Sequence, residues 1–471
     1  MRTALLLAAL SLPIAAQAPY QPTAASLRTH KVPQWFEDAK FGIFIHWGPY
    51  AVPAFHEWYV AWMSPHAGYG FLLGGPPFTP AQGNLSDAVM KLRYPPGSVA
   101  GRARKYHLDN FGPNVSYDDF LPMFKAEKFD PDAWARLFQA AGARYVVLTA
   151  KHGDEFAMWP TKLTPRNAGA TGPKRDIVGD LAKTVRAQGL KYGLYHNTTY
   201  TFYDKRYPGR DWVEYMNATI KELVDKYQPS IIWGDVREGP IRDTQGRPVP
   251  SDYWNSKEVI AYLYNHSKDP AEVLTNDRWG LEADGSRLGD FSTPERRNLN
   301  AIQPEKWELC DSLDPFSWGY SRILPEGGYM TANQLVDYLA DVVSKNGNLL
   351  INIGPRADGT IPEVMRNVLL ETGAWLKVNG DAIYASRPFT TYKEGDFRFT
   401  RKANAVYAIA LEWPEDPTFT LKSLTSHKVQ SVELLGQGPV KFTQSPTGLT
   451  ITVPPQRPCK FAYTFKIVTS N

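Results

Sequence analysis

Residues 130–148 read DPDAWARLFQAAGARYVVL, and the way this stretch divides decides the fold. Asp130-Pro131 makes a helix start: an oxygen-bearing cap, then a residue with no N–H to lose in the first turn. Trp134, Leu137, Phe138 and Ala141 follow at helical spacing, and Gly142 ends the run. Tyr145-Val146-Val147-Leu148 then comes without polar alternation, the pattern of a strand buried on both faces. The same grammar recurs twice. Asp176 opens a helix carrying Ile177, Leu181 and Val185, which Gly189 stops ahead of Tyr192-Gly193-Leu194-Tyr195. A third helix runs from Trp212 through Met216, Ile220 and Leu223 to Tyr227, and Pro229 parts it from Ile231-Ile232-Trp233.

Short apolar strands alternating with amphipathic helices predict an α/β chain with a parallel sheet. Further strands are expected at 41–46, 273–276, 307–311 and 348–353. That number of units, over about 350 residues, fits a (β/α)8-type barrel with insertions. A doubly wound open sheet is the rival, but no glycine-rich phosphate loop follows the first strand. After Arg387-Pro388 the texture changes to short alternating runs, such as Ala405-Val406-Tyr407-Ala408-Ile409-Ala410, broken by Gly, Pro, Asn and Ser. These predict a C-terminal antiparallel β-sandwich. The first residues, MRTALLLAALSLPIAAQA, carry one Arg, an apolar run too short to span a bilayer, and small residues at Ala16 and Ala18. The expected organisation is a signal peptide at 1–18, a barrel at 19–388 and a sandwich at 389–471.

The 471 residues carry 52 basic and 48 acidic side chains, a net charge of +4 with no basic block fit to track a phosphate backbone. Nucleic acid is therefore not an expected partner, and no second segment is long and apolar enough to be a membrane span. An exported protein, secreted or periplasmic (lysosomal in a eukaryote), is expected; assembly into a homo-oligomer stays open. The two cysteines, Cys310 and Cys459, fall in different expected domains and read as free thiols. Aromatic residues reach 13%, more than packing needs, and their flat faces suit sugar rings.

Polar residues collect where strands should end: His46-Trp47, Lys151-His152, His196-Asn197, Asp235, Asn276-Asp277-Arg278 and Glu308. In a barrel, strand C-termini face the active-site mouth. Asp235 closes the apolar run Ile231-Ile232-Trp233-Gly234, so its charge must be solvated, paired with Arg237 or Arg278, or turned to a substrate. A second carboxylate, Glu295, is expected in a loop between two strands. Two carboxylates across a mouth rich in Trp, Tyr and His suit glycosidic cleavage, one attacking and the other moving a proton. A metal-dependent hydrolase using His46, His56 and His152 is the less favoured chemistry, because no ligand spacing supports it.

Trp35-Phe36, Phe41-Gly42-Ile43-Phe44-Ile45-His46-Trp47-Gly48, His56-Glu57-Trp58-Tyr59, Thr149-Ala150-Lys151-His152, Ile232-Trp233-Gly234-Asp235, Asn276-Asp277-Arg278-Trp279, Lys306-Trp307-Glu308-Leu309-Cys310, Ser317-Trp318-Gly319-Tyr320 and Gly347-Asn348-Leu349-Leu350-Ile351-Asn352-Ile353-Gly354-Pro355 stand in that order. Together they resemble the family 29 glycoside hydrolases, the α-L-fucosidases, whose barrel is also followed by a β-sandwich. The resemblance implies a retaining double displacement with Asp235 as nucleophile and Glu295 as acid/base, Glu57 and Glu308 being the other candidates for the second role. It implies that His46, Glu57, Trp58, His152, Tyr195 and Arg278 hold sugar hydroxyls or organise the nucleophile. Trp318 is the candidate to pack on the C5 methyl of fucose, with a core Trp as the alternative. No cofactor and no metal are implied, and the expected partner is a fucosylated oligosaccharide or glycoconjugate. A related glycosidase acting on an α-L-galactoside, or a non-catalytic carbohydrate-binding homologue, are the alternatives.

Two departures stand out. The family pattern Lys-His-His-Asp-Gly-Phe is Lys151-His152-Gly153-Asp154-Glu155-Phe156 here, which loses a donor and adds a carboxylate that can face solvent, pair with Lys151 or replace the lost contact. The stretch from about 67 to 116, with the apolar run 71–78, is expected to line the leaving-group side or cover a neighbouring subunit's site.

Overall fold

The stretch that opened the sequence folds as read. In a computed structural model, which describes residues 19–63, 97–197, 210–235, 241–242, 248–249, 254–282 and 284–470, β1 (Phe41–Ile45) is followed, after an excursion, by α1 (Pro131–Ala140) and β2 (Tyr145–Lys151). Asp130 caps α1, its Oδ1 accepting from the Ala133 N–H at 2.9 Å, a contact worth about 1 kcal/mol. The expected leader at 1–18, the run 71–78 and Arg237 lie outside the described residues.

The chain continues through α2 (Ile177–Ala187), β3 (Lys191–Asn197), α3 (Arg210–Tyr227), β4 (Ile231–Asp235), α4 (Ser256–His266) and β5 (Leu274–Thr275). It then passes through β6 (Trp307–Ser312), α5 (Ala332–Ser344), β7 (Gly347–Ile353) and α6 (Glu363–Asn379). The seven strands form one curled parallel sheet in the order β5-β4-β3-β2-β1-β7-β6.

Residues 291–295 span the opening between β5 and β6 by parallel bridges: Asn276 to Phe291, Ser292 to Trp307, and Glu295 to Cys310. The segment expected to be a free loop around Glu295 is thus laid into the barrel wall. Pro294 explains its irregularity, since it has no N–H to offer a ladder.

Strand alternation sorts the residues expected at the mouth. His196 Nε2 meets Thr219 Oγ1 of α3 at 2.9 Å, and Lys151 Nζ donates to Glu155 Oε2 at 2.7 Å and lies over the Trp212 ring. Both therefore face the helical layer, not the mouth, while Tyr195 and Asn197 turn inward. Glu308 sits one residue into β6, at the wrong end of the strand for the mouth, and is fully buried in the barrel.

After α6 come β8 (Arg387–Glu394), β9 (Phe397–Lys402), β10 (Ala405–Ala410), β11 (Thr418–Leu421), β12 (Lys428–Leu434), β13 (Gly438–Pro439), β14 (Phe442–Ser445), β15 (Gly448–Thr452) and β16 (Tyr463–Ser470). They make a six-stranded sheet, β8-β9-β10-β16-β12-β13, and a three-stranded one, β11-β15-β14. The two enclose their own core of Phe399, Leu434, Leu449, Ile451 and Phe465. Trp375 of α6 donates to the Ala462 carbonyl at 2.9 Å, joining barrel to sandwich. Cys310 and Cys459 are free thiols, as expected. Among the described residues no helix is long and apolar enough to cross a membrane.

Candidate active site

Asp235 ends β4 at the mouth, with its side chain 23% exposed. Its Oδ2 accepts from the Tyr195 hydroxyl at 2.6 Å and its Oδ1 from Arg278 Nη1 at 3.1 Å. The same nitrogen donates to Glu295 Oε2 at 3.0 Å. Two carboxylates from different strands therefore share one guanidinium nitrogen, and Glu295, at 44% exposure, is the more open of the two.

Arg278 is itself held on every side. Nε donates to Thr293 Oγ1 and Nη2 to the Thr293 carbonyl, each at 3.0 Å, and the guanidinium carbon lies 4.6 Å from the centre of the Trp233 ring. Thr293 is fixed in turn by Asp277, whose Oδ1 accepts from its N–H and hydroxyl at 3.0 and 2.8 Å. Burial opposes the charge on Arg278, but the groups around it, with Asp235 and Glu295 among them, outweigh this and keep it firmly protonated. Such a rigid fork sets the direction of both carboxylates.

Below this layer, Glu308 accepts from the Trp233 indole N–H at 2.9 Å and the Tyr145 hydroxyl at 2.6 Å. Burial pushes its pKa up to about 7 against the pull of those donors. Trp233 stacks on Tyr195 with ring centres 5.6 Å apart, so Glu308 anchors the floor on which Tyr195 and Arg278 rest.

The opposite wall is built by imidazoles and Glu57. His46 follows β1; its Nδ1 and backbone N–H both reach Asn352 Oδ1, at 2.8 and 3.1 Å. Asn352 Nδ2 donates to the Trp318 carbonyl and Ser312 Oγ, which fixes its oxygen toward His46. His46 therefore carries its proton on Nδ1, and Nε2 is left as an acceptor. Burial lowers its pKa to about 4, and that of His152 to about 3 with help from His46.

Glu57 is buried, and its Oε2 accepts from Ser317 Oγ at 2.9 Å, the Trp318 N–H at 2.9 Å and the Gly319 N–H at 3.4 Å. Burial acts to raise its pKa, but His56, His152 and His46 prevail and hold it below the usual range. Its bonds pin the segment carrying Trp318, whose ring stands 5.1 Å from His46 and 5.9 Å from Phe44. Trp58 packs edge-to-face on His152 at 4.8 Å, and His152 stacks on Tyr195 at 5.8 Å.

The structure thus brings Asp235, Glu295, Tyr195 and Arg278 to one side of the site, and His46, Glu57, Trp58, His152 and Trp318 to the other. Of the two proposed partners of Asp235, Arg278 makes the pair. The sequence reading missed Asn352, Thr293, Asp277 and Ser317 as supports. Only their places beside quoted motifs hinted at them. Glu155 pairs with Lys151 behind the sheet rather than replacing a sugar contact. Among the described residues no three His, Cys, Asp or Glu side chains gather to hold a metal ion.

Comparison with known proteins accounts for this arrangement. Residues 7–381 match the model of the alpha-L-fucosidase family, and residues 392–468 that of the alpha-L-fucosidase C-terminal domain. The chain is 36% identical to tissue alpha-L-fucosidase of Rattus norvegicus, over 96% of this chain and 93% of that one. It is 37% identical to an alpha-L-fucosidase of Branchiostoma floridae, over 95% of each. Among solved structures, Thermotoga maritima alpha-fucosidase in complex with a mechanism-based inhibitor superposes with a TM-score of 0.76 at 34% identity, over 95% of this chain and all of that one. With both folded units matched and nearly the full length covered, the chain belongs to the α-L-fucosidase family of glycoside hydrolases, family 29.

Proposed function

We propose that this protein is an exported α-L-fucosidase that cleaves terminal α-L-fucosides with retention of configuration, Asp235 acting as nucleophile and Glu295 as acid/base. One observation carries the assignment: the two carboxylates bind a single Arg278 nitrogen at the barrel mouth, so those oxygens lie no more than about 6 Å apart. That falls short of the roughly 6.5–9.5 Å that inverting enzymes keep open for a water, and favours the ~5–5.5 Å class in which a side chain attacks directly. Retained glycan, anomeric attack and export all belong to this reading.

In the first step an Asp235 oxygen attacks the anomeric carbon, the glycosidic C–O bond breaks, and Glu295 gives its proton to the departing oxygen. A β-linked fucosyl ester of Asp235 results. In the second step Glu295 takes a proton from water, the water oxygen attacks the same carbon, and α-L-fucose leaves with Asp235 restored. Tyr195 and Arg278 hold the nucleophile at fixed orientation, so little reorganisation is needed when charge moves. His46 Nε2 accepts a sugar hydroxyl, and the Trp318 face receives the apolar C5 methyl.

The geometry disfavours the other two carboxylates as proton carriers. Both Glu308 oxygens are engaged beneath the floor, and Glu57 is held ionised among imidazoles while a donor needs a proton to give. The deciding experiment follows an aryl α-L-fucoside by proton NMR. Early release of α-L-fucose supports the proposal; β-L-fucose as first product, or turnover only of the aryl α-L-galactoside, ends it.

A further inference from the structure

A cavity of about 770 Å³ opens beside the mouth, between the end of β6, the first turns of α5 and the sandwich edge at Arg398. Its size is that of a small-molecule site. Arg296, the residue after Glu295, lines it. The Arg296 backbone N–H donates to the Cys310 carbonyl at 3.0 Å, and its guanidinium carbon lies 4.8 Å from the Trp318 ring centre. One side chain thus borders both this cavity and the aromatic wall of the sugar site.

The lining has the character of a neutral sugar site. Its charges are largely spent on one another: Arg398 Nε on Asp341 Oδ1 at 2.5 Å, and Arg296 near Asp311 at 3.6 Å. Tyr338 and Leu411 add flat and apolar surface. Asp337 is the exception. Its Oδ2 accepts only a long bond from Asn333 at 3.3 Å, and its Oδ1 is buried without a hydrogen-bond partner among the described residues. Burial, reinforced by Glu412, pushes its pKa up to about 7. A group so placed suits hydroxyls, which can donate or accept, better than a fixed charge.

In a double displacement the acid/base stands on the leaving-group side, and the chain leaving Glu295 leads straight into this cavity. We propose that the cavity is the subsite for a sugar ring of the aglycone, a neutral hexose-type ring hydrogen-bonded by Asp337 and separated from the fucose pocket by Arg296. This rests on the Glu295 assignment above.

The test compares kcat/KM on an aryl α-L-fucoside and on a neutral fucosylated trisaccharide. Gly327 lines the cavity and a Cβ there meets open space, so Gly327→Trp fills it without a local clash. Gly327→Trp is expected to lower trisaccharide turnover ~10-fold or more, and Asp337→Ala ~5-fold, with the aryl substrate within about twofold of wild type. Unselective results in both variants, whether parallel losses or none, overturn the subsite. Wild-type protein inert on the aryl fucoside sinks the proposed function, and the subsite with it; an active wild type with unselective variants sinks the subsite alone.

Discussion

The six-membered ring of Trp58 lies against the Cα of Gly153, so closely that a methyl group there would stand 2.6 Å from Cζ3. The departure from the family pattern at position 153 is therefore a packing event: with no side chain at 153, Trp58 settles over the backbone and onto His152. Gly153→Ala must displace that ring, at about 1–3 kcal/mol of overpacking. KM for an aryl α-L-fucoside should rise ~10-fold while kcat changes less. Unaltered KM would show that Trp58 does not touch the sugar.

Asp235 and Glu295 should separate by product. Asp235→Ala is expected to lower kcat on the order of 10³-fold or more without lowering Tm, and azide should yield the β-fucosyl azide. Glu295→Ala should cost ~10²–10⁴ on substrates with poor leaving groups and far less on activated ones, with azide giving the α-fucosyl azide. If Glu57→Ala rather than Glu295→Ala gives the α-azide, the acid/base assignment moves to Glu57.

Tyr195→Phe deletes the 2.6 Å hydrogen bond to Asp235 and little else, since the ring still stacks on Trp233. A bond to a charged acceptor is worth roughly 1.5–3 kcal/mol. If it holds the nucleophile in line, kcat falls about 10–100-fold with Tm nearly unchanged. A loss confined to KM would assign the hydroxyl to substrate binding instead.

Acid should destabilise the barrel through its buried imidazoles. His46 is neutral in the fold down to about pH 4, while the unfolded chain takes up that proton near 6.5. Stability is thus fully present above pH 6.5 and is lost as pH falls toward 4, by roughly 3 kcal/mol for this group. His152 adds to the same trend. Urea unfolding between pH 7.5 and 4.5 measures it, and His152→Asn should flatten the slope.

Glu308 acts in the opposite sense. With a folded pKa of about 7 it keeps its proton where the unfolded chain, near 4.5, has released it. The stability this brings is present below pH 4.5 and is lost as pH rises through 7. Glu308→Gln preserves the uncharged form, so its Tm relative to wild type should improve from pH 5 to pH 8. A constant difference would place the titration elsewhere.

How far the sequence reached differs from residue to residue. The helix from Asp130 and the apolar strand ending at Asp235 were legible because cap, periodicity and breaker all lie within about twenty residues. Lys151 and His196 were placed at the right strand ends but on the wrong side. A buried strand flanked by apolar residues gives no alternation to show which way a polar one points. Glu308 was misplaced for another reason: β6 starts at Trp307, and an all-apolar rule does not mark the start of a strand that holds a buried carboxyl.

By itself, then, the sequence determined the run of strand and helix units, the sandwich after them, and the presence of a carboxylate at the tip of β4, since all of these follow from local pattern. Only the tertiary structure decided that Arg278 joins Asp235 to Glu295, that residues 291–295 complete the wall, and that Trp58 occupies the room above Gly153. These relationships link positions far apart in the chain, and their energies depend on burial and direction, which no local spacing encodes.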